Sequence, residues 1–237
     1  MFDAKLTPPT GVRSVVYSSG DYALAAWFAM PTEAQQPVPA ILYLHGGFSF
    51  GAEDYEAAKP FADAGFALMM PMLRGENGNP GDFELWYGEL DDAVAALRWL
   101  ARQPGIDPKR IFAFGHSVGG GLAALLSLVD IDVPLADTAS SGGLYPYDIF
   151  KDWHDIVPFQ TRNPHERQLR ILLGNTWWMK RPHHAYLGND DPLHRAVQLA
   201  ENEAAASSAP LTIESLPGDA VTSLPTAIRR YINRIKK

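Results

Sequence analysis

The sequence predicts a single α/β domain built on a doubly wound, mostly parallel sheet, with an antiparallel N-terminal edge and a small helical cap. Three observations predict it. From Ala40 onward, short apolar runs alternate with stretches of helical periodicity, the order that gives a parallel sheet with helices on both faces. The runs themselves, such as Ala40-Ile41-Leu42-Tyr43-Leu44, are continuously apolar, as in strands buried on both sides. The third is IFAFGHSVGGG, Ile111 to Gly121, where an apolar run stops at a Gly-rich turn and an Ala/Leu-rich helical pattern follows.

Taken in order, Val12 to Tyr17 and Tyr22 to Met30 are β-rich runs joined through Ser18-Ser19-Gly20-Asp21, a hairpin signal that places them at an antiparallel edge. Pro31 to Pro39 reads as a surface loop before the strand that ends in His45-Gly46-Gly47. A helix over Glu53 to Ala64 closes at Gly65, and Phe66 to Leu73 gives the next buried strand. Leu90, Val94, Leu97 and Leu100 mark an amphipathic helix that stops before Pro104-Gly105. After the Ile111 strand and its helix, Val133 to Ala139 is a further strand. The period then loosens, and residues 143–182, crowded with Tyr145, Tyr147, Phe150, Trp153, Phe159, Trp177 and Trp178, read as a cap-like insertion in a domain of residues 1–237. His183 to Leu187 and Leu211 to Leu216 are the last strands, with a helix from Pro192 to about Ala206 between them. Ile228, Tyr231, Ile232 and Ile235 mark the closing helix, with Thr222 or Ser223 as its N-cap.

A chain of 237 residues with 46% hydrophobic and 20% charged residues is an ordinary globular composition. The net charge of -7 disfavours nucleic acid and anionic membranes as partners, since both reward basic patches. The absence of cysteine excludes disulfides, thiol catalysis and thiolate metal sites, and leaves the redox compartment open. MFDAKLTPPTG carries no apolar leader core, and no run approaches the roughly eighteen residues of a membrane span, so the expectation is a cytoplasmic protein. No H-x-x-x-H or H-E-x-x-H occurs, and Gly119-Gly120-Gly121 is not followed by G-K-[ST], so neither a metal centre nor a phosphate loop is expected, and no cofactor.

Gly115-His116-Ser117-Val118-Gly119 has the form of a nucleophile elbow. A serine on a sharp strand-to-helix turn leaves little room two residues away on either side, and Gly115 and Gly119 supply that room. The turn also leaves the Val118 N–H unpaired at a helix N-terminus, where an oxyanion would form.

Four other strands also carry polar groups at their carboxyl ends, where sites form in such sheets: His45-Gly46-Gly47, Arg74-Gly75-Glu76, Asp190-Asp191 and Gly218-Asp219-Ala220. With LHGGF (Leu44 to Phe48), LRGENG (Leu73 to Gly78), GHSVGG (Gly115 to Gly120), LGNDD (Leu187 to Asp191) and LPGD (Leu216 to Asp219) in register, the chain resembles the α/β-hydrolases. Within them it is similar to the catalytic domain of prolyl oligopeptidases and to dienelactone hydrolases. The resemblance runs from about Val12 to Ile235. It implies Ser117 as nucleophile, an oxyanion hole from the N–H of Val118 and one from the Gly47-Phe48 segment, and Asp191 as triad acid, with Asp190 as fallback. Either aspartate also suits a helix N-cap before Pro192. Arg74 and Glu76 read as structural, Arg74 pairing with Glu89, Asp91 or Asp92. The substrate implied is a small ester or peptide-like acyl compound, and the oligomeric state is open.

The resemblance also implies a histidine after the last strand, and that position is Ala220. Alanine accepts no proton, so the expected activity is impaired. Three readings compete. A deliberate His-to-Ala exchange would leave its neighbour alone, yet Val221 also departs from the expected aromatic residue. A pseudo-enzyme would keep the pocket for binding or interaction. A base from elsewhere would come from His194, just after Asp191, or His154 in the cap. For either one an exposed surface histidine is the plainer reading; His165 also lies in the cap. His45 and His116 read as structural, and His183 and His184 as lying at the wrong end of the sheet.

Overall fold

The structure, a computed structural model, describes residues 6–31, 37–155 and 157–236. Eight strands form one sheet: β1 (Val12–Ser19), β2 (Tyr22–Ala29), β3 (Val38–Leu44), β4 (Ala67–Pro71), β5 (Ile106–His116), β6 (Leu135–Ser141), β7 (His183–Gly188) and β8 (Leu211–Leu216). Their spatial order is β1-β2-β4-β3-β5-β6-β7-β8. The β1/β2 and β2/β4 pairs are antiparallel and the other five are parallel, so the hairpin edge and the doubly wound remainder are both as predicted.

Alternation along the strands sorts side chains into two cores. Ala40, Leu42 and Leu44 of β3 with Ile111 and Ala113 of β5 face one side, whereas Ile41, Tyr43, Phe112 and Phe114 face the other. Helices α2 (Gly88–Ala101), α3 (Ser117–Leu126) and α6 (Val197–Ser207) cover the first face. Helices α1 (Ala52–Asp63) and α7 (Leu224–Ile235) cover the second, where Phe61, Phe114 and Tyr231 pack ring against ring.

Several elements differ from the sequence expectation, each for a local reason. The expected stripe of α2 is rotated by about one residue. Its buried face is Glu89, Asp92, Ala93, Ala96, Leu97 and Leu100, with Leu90 and Val94 only half-buried. Small alanines let the helix lie close to the sheet, and the two buried carboxylates find partners in the Ser19 hydroxyl of β1 and in the backbone N–H groups of Arg74 and Glu84, in the segment before the helix. The helix expected from Pro192 is a short 3-10 turn, Pro192–Ala196, followed by α6. Ser223 is the N-cap residue of α7 but gives no side-chain cap bond, and Thr222 is no cap either, since its hydroxyl donates to Asp219 at 2.7 Å. Strand β5 starts at Ile106, because Val38 pairs there across an irregularity. The expected loop at Pro31 to Pro39 ends at Val38, and its residues 32–36 lie outside the described ones.

Residues 142–182 join β6 to β7 with two short helices, α4 (Ile149–Asp152) and α5 (Pro164–Gln168), and a 3-10 turn at Thr176–Trp178. The aromatic side chains of this stretch divide. Tyr145 and Phe150 are buried against Trp86, whereas Trp177 and Trp178 are 65% and 66% exposed. Among the described residues no helix is long and apolar enough to cross a membrane.

Candidate active site

The turn from β5 into α3 puts Ser117 at φ +49, in the left-handed region that a side chain enters at a cost of about 1–2 kcal/mol. Packing holds it there. A Cβ on Gly115 would overlap the Gly119 carbonyl, and a Cβ on Gly119 would overlap the carbonyl oxygens of Leu44 and His45. The steric reason read from the sequence for both glycines therefore holds. A third close approach, between Gly120 and Gly143, carries no sequence signal, because its partners come from separate segments. Val118 lies in the first turn of α3, where the N–H has no intrahelical acceptor, and its carbonyl accepts from Trp86 Nε1 at 2.7 Å.

Beside this turn, the end of β3 is built on a buried ion pair. His45 is 4% exposed, its Nε2 is 2.9 Å from Glu76 Oε1 and its Nδ1 is 2.9 Å from the Gly46 carbonyl. Burial works against the charged ring, but the Glu76 carboxylate, Asp54 and the Gly46 carbonyl outweigh it and raise the imidazole to about 9. Both ring nitrogens therefore donate at neutral pH. Gly47 sits at φ +70, and Asn77 clamps the chain three residues on by exchanging two 2.9 Å hydrogen bonds with the Phe50 backbone. Arg74 binds Asp92 through Nε and an NH2 group at 2.9 and 2.8 Å, and Glu84 at 3.1 Å, so its partner among the three expected is Asp92. Gly47, Phe48 and Val118 line one cavity of about 30 Å³.

Asp191 is 5% exposed at the end of β7. Its Oδ1 accepts from the Leu193 N–H at 2.8 Å, the N-cap role read from Pro192, but its Oδ2 is buried without a hydrogen-bond partner. A Cβ on Gly142 would lie 3.6 Å from that Oδ2 and 3.8 Å from Ser117 Cα, so the acid and the serine flank the same spot. Asp190 is exposed and holds the neighbouring loop through its N–H, 2.9 Å from the Gly218 carbonyl. That loop carries Ala220, half-buried, in a turn organised by Asp219, whose Oδ1 accepts from the Val221 and Thr222 N–H groups and the Thr222 hydroxyl.

The two histidines considered as substitute bases are both engaged elsewhere. His154 is exposed, with Nδ1 2.9 Å from the Lys151 carbonyl and Nε2 3.1 Å from Asp155. His194 turns toward β8, where Nε2 meets the Ser215 hydroxyl at 2.9 Å. His116 packs beside Gly46, and burial lowers its pKa despite a backbone bond at Ser141 and the nearby Asp191 charge. At the far end of β7, His183 meets the hydroxyls of Thr138 and Ser140 at 2.8 and 3.1 Å, and burial lowers it to about 3. The group that does sit beside the Ser117 hydroxyl is Tyr145, which the sequence reading placed only in the aromatic cap. Burial pushes its phenol well above the usual range, against the Ser117 hydroxyl, which lowers it, so the phenol stays protonated and is not a base. Among the described residues, no cluster of three or more His, Asp or Glu is arranged to hold a metal ion.

Residues 20–171 match the family model for X-Pro dipeptidyl-peptidase (S15 family). The uncharacterized peptidase YtmA of Bacillus subtilis is 28% identical over 173 residues, 72% of this chain and 63% of its own. Carboxylesterase NlhH of Mycobacterium tuberculosis is 31% identical over 112 residues, 44% of this chain and 33% of its own. The chain thus spans less than two thirds of the length of the curated relatives it matches. Among solved structures, the acylaminoacyl peptidase of Pyrococcus horikoshii superposes with a TM-score of 0.73 at 20% identity, over 95% of this chain and 40% of that one. The carboxylesterase EstE1, cloned from a metagenomic library, gives 0.72 at 19%, over 97% and 91%. These likenesses show the α/β-hydrolase fold.

Proposed function

The chain belongs to the X-Pro dipeptidyl-peptidase (S15) family, and from that premise we propose that it is a serine hydrolase for small ester or peptide-like acyl substrates that works through a Ser117 acyl-enzyme and lacks its histidine base. The turn at Ser117 is its nucleophile elbow. Ser117 Oγ attacks the substrate carbonyl carbon, and the oxyanion that forms accepts hydrogen bonds from the N–H of Val118 and one from the Gly47-Phe48 segment. Asp191 is the triad acid. We also read residues 143–182 as a cap beside the site.

The observation that carries this reading is the buried, unpartnered Oδ2 of Asp191, across a one-residue gap from a strained serine. A buried carboxylate oxygen without a donor is costly, and a histidine Nδ1–H is what it accepts in a complete triad. With Ala220 in the loop beside it, proton removal from Ser117 falls to water and turnover is slow. Tyr145, the neighbour of Ser117, favours a second reading, a pseudo-hydrolase that binds ligands in the same pocket, because a phenol held neutral does not serve the serine as a base.

Turnover of p-nitrophenyl acetate separates the two. The expected result is a rate near background for this chain, a rise of roughly 10^3-fold or more for Ala220→His, and loss of that rise when Ser117→Ala is added. No gain in a folded Ala220→His protein would favour the pseudo-hydrolase.

A further inference from the structure

The cavity beside the oxyanion segment contains a feature that the acyl-transfer chemistry does not use. Its walls are apolar, from Phe48, Leu73, Phe83, Trp86 and Leu122, but Glu89 of α2 also lines it. Glu89 is 3% exposed. Its Oε1 accepts from the Glu84 N–H at 2.7 Å, whereas its Oε2 is buried with no hydrogen-bond partner. The other charged groups around the cavity are already matched: Arg74 to Asp92 and Glu84, and His45 to Glu76. The backbone that builds this wall is strained, with Leu85 at φ +50 and Trp86 at φ +68, and strain of this kind concentrates at ligand sites.

Resting on the serine-hydrolase reading, we infer that this cavity is a specificity subsite in which Glu89 Oε2 receives a hydroxyl on a short substituent of the acyl group, as in a hydroxyacetyl or seryl-like substrate. The cavity is small, about 30 Å³, which suits a short substituent such as a hydroxymethyl. Because Gly47, Phe48 and Val118 line the same cavity, a substituent next to the reacting carbonyl is the one that reaches it. A hydroxyl fits better than an ammonium. Burial raises the Glu89 carboxyl to about 7, against backbone hydrogen bonds and Arg74, with Asp92 adding to the rise. Near neutrality the group is therefore present in both forms, and a hydroxyl, donor and acceptor at once, satisfies either. A buried ammonium would need the ionised form and would lose its own hydration.

The test compares p-nitrophenyl hydroxyacetate with p-nitrophenyl propionate, equal in heavy atoms, by the rate at which intact mass shows acylated Ser117. In the step read, the Ser117 Oγ–carbonyl carbon bond forms, the ester C–O bond breaks with its electron pair leaving on p-nitrophenolate, and the serine proton goes to solvent. Relative to their rates of spontaneous hydrolysis, the hydroxyacetyl adduct should form about tenfold faster or more. Glu89→Met should erase the difference, and the isosteric Glu89→Gln, which keeps the acceptor for Glu84, should retain it. Equal rates, where both esters measurably acylate the unaltered chain, overturn the inference. Saturation-transfer NMR with glycolamide and propionamide reads the cavity without catalysis. A response to glycolamide alone, lost in Glu89→Met, supports the subsite even if no ester acylates Ser117, an outcome that removes only the hydrolase reading. An equal response to both amides, or a stronger one to glycinamide, overturns it.

Discussion

The two halves of the site are held by different means. On the elbow side the functional groups depend on backbone: the left-handed Ser117, the Val118 N–H at the start of α3, and the Gly47 turn fixed from below by His45 and Asn77. On the loop side, at residues 217–223, the backbone is equally ordered, with Asp219 gathering three hydrogen bonds, yet the position that matters carries a methyl group. A half built from backbone is lost only with the fold around it. A half that depends on one side chain can be lost by one exchange, and on the function proposed above the unpartnered Asp191 Oδ2 is what such an exchange would leave.

The largest effect that would sharpen this contrast is expected from the acid. In an Ala220→His background, Asp191→Asn should reduce the regained p-nitrophenyl acetate turnover by about 10^4-fold, whereas in the unaltered chain the same exchange should leave the rate unchanged. A large loss in the unaltered chain would mean that Asp191 already serves a base. Next comes the support of the elbow side. His45→Ala leaves Glu76 as a buried charge without its partner and should cost about 3–5 kcal/mol of stability in urea denaturation. Gly119→Ala, which drives a methyl group into the Leu44 and His45 carbonyls, should cost about 3 kcal/mol by the same measurement.

The smallest effect is a pH dependence that also distinguishes the two ends of the sheet. The His45 ring is raised from 6.5 to about 9, so its contribution to stability is complete below pH 6.5 and is lost as the pH rises through 9. His183 is lowered to about 3, so its contribution is complete above pH 6.5 and declines as the pH falls toward 3. Urea midpoints measured from pH 4 to 10 should lose the alkaline decline in His45→Ala and keep the acid one. An unchanged alkaline limb would break the assignment of charge to His45.

Much of this molecule was legible in its sequence where a local rule applied. Leu211–Leu216 is a strand with the bounds expected from the sequence, and Gly115 and Gly119 flank Ser117 for the steric reason their spacing implies. What escaped depends on contacts between distant segments. Glu89 was read as a candidate partner of Arg74, yet it lies on the buried face of α2 because the turn at 84–88 donates to it, which hydrophobic periodicity cannot register. Residues 143–182 gave no period because pairings such as Arg170 Nε with the Glu84 carbonyl, and Arg170 over the Phe159 ring at 3.9 Å, hold them in place of regular structure. Tyr145 reaches Ser117 only through the Gly142-Gly143 bend, where both residues have positive φ.

If the nucleophile half is intact and only the base is missing, the rate of fluorophosphonate labelling, read by intact mass, will separate this chain from Ala220→His and Ser117→Ala. Slow labelling of the first, fast labelling of the second and none of the third are expected, with the label on Ser117. Fast labelling of the unaltered chain that vanishes in Ser117→Ala would contradict this expectation by revealing another base, and an unlabelled Ala220→His protein that remains folded would contradict the hydrolase reading itself.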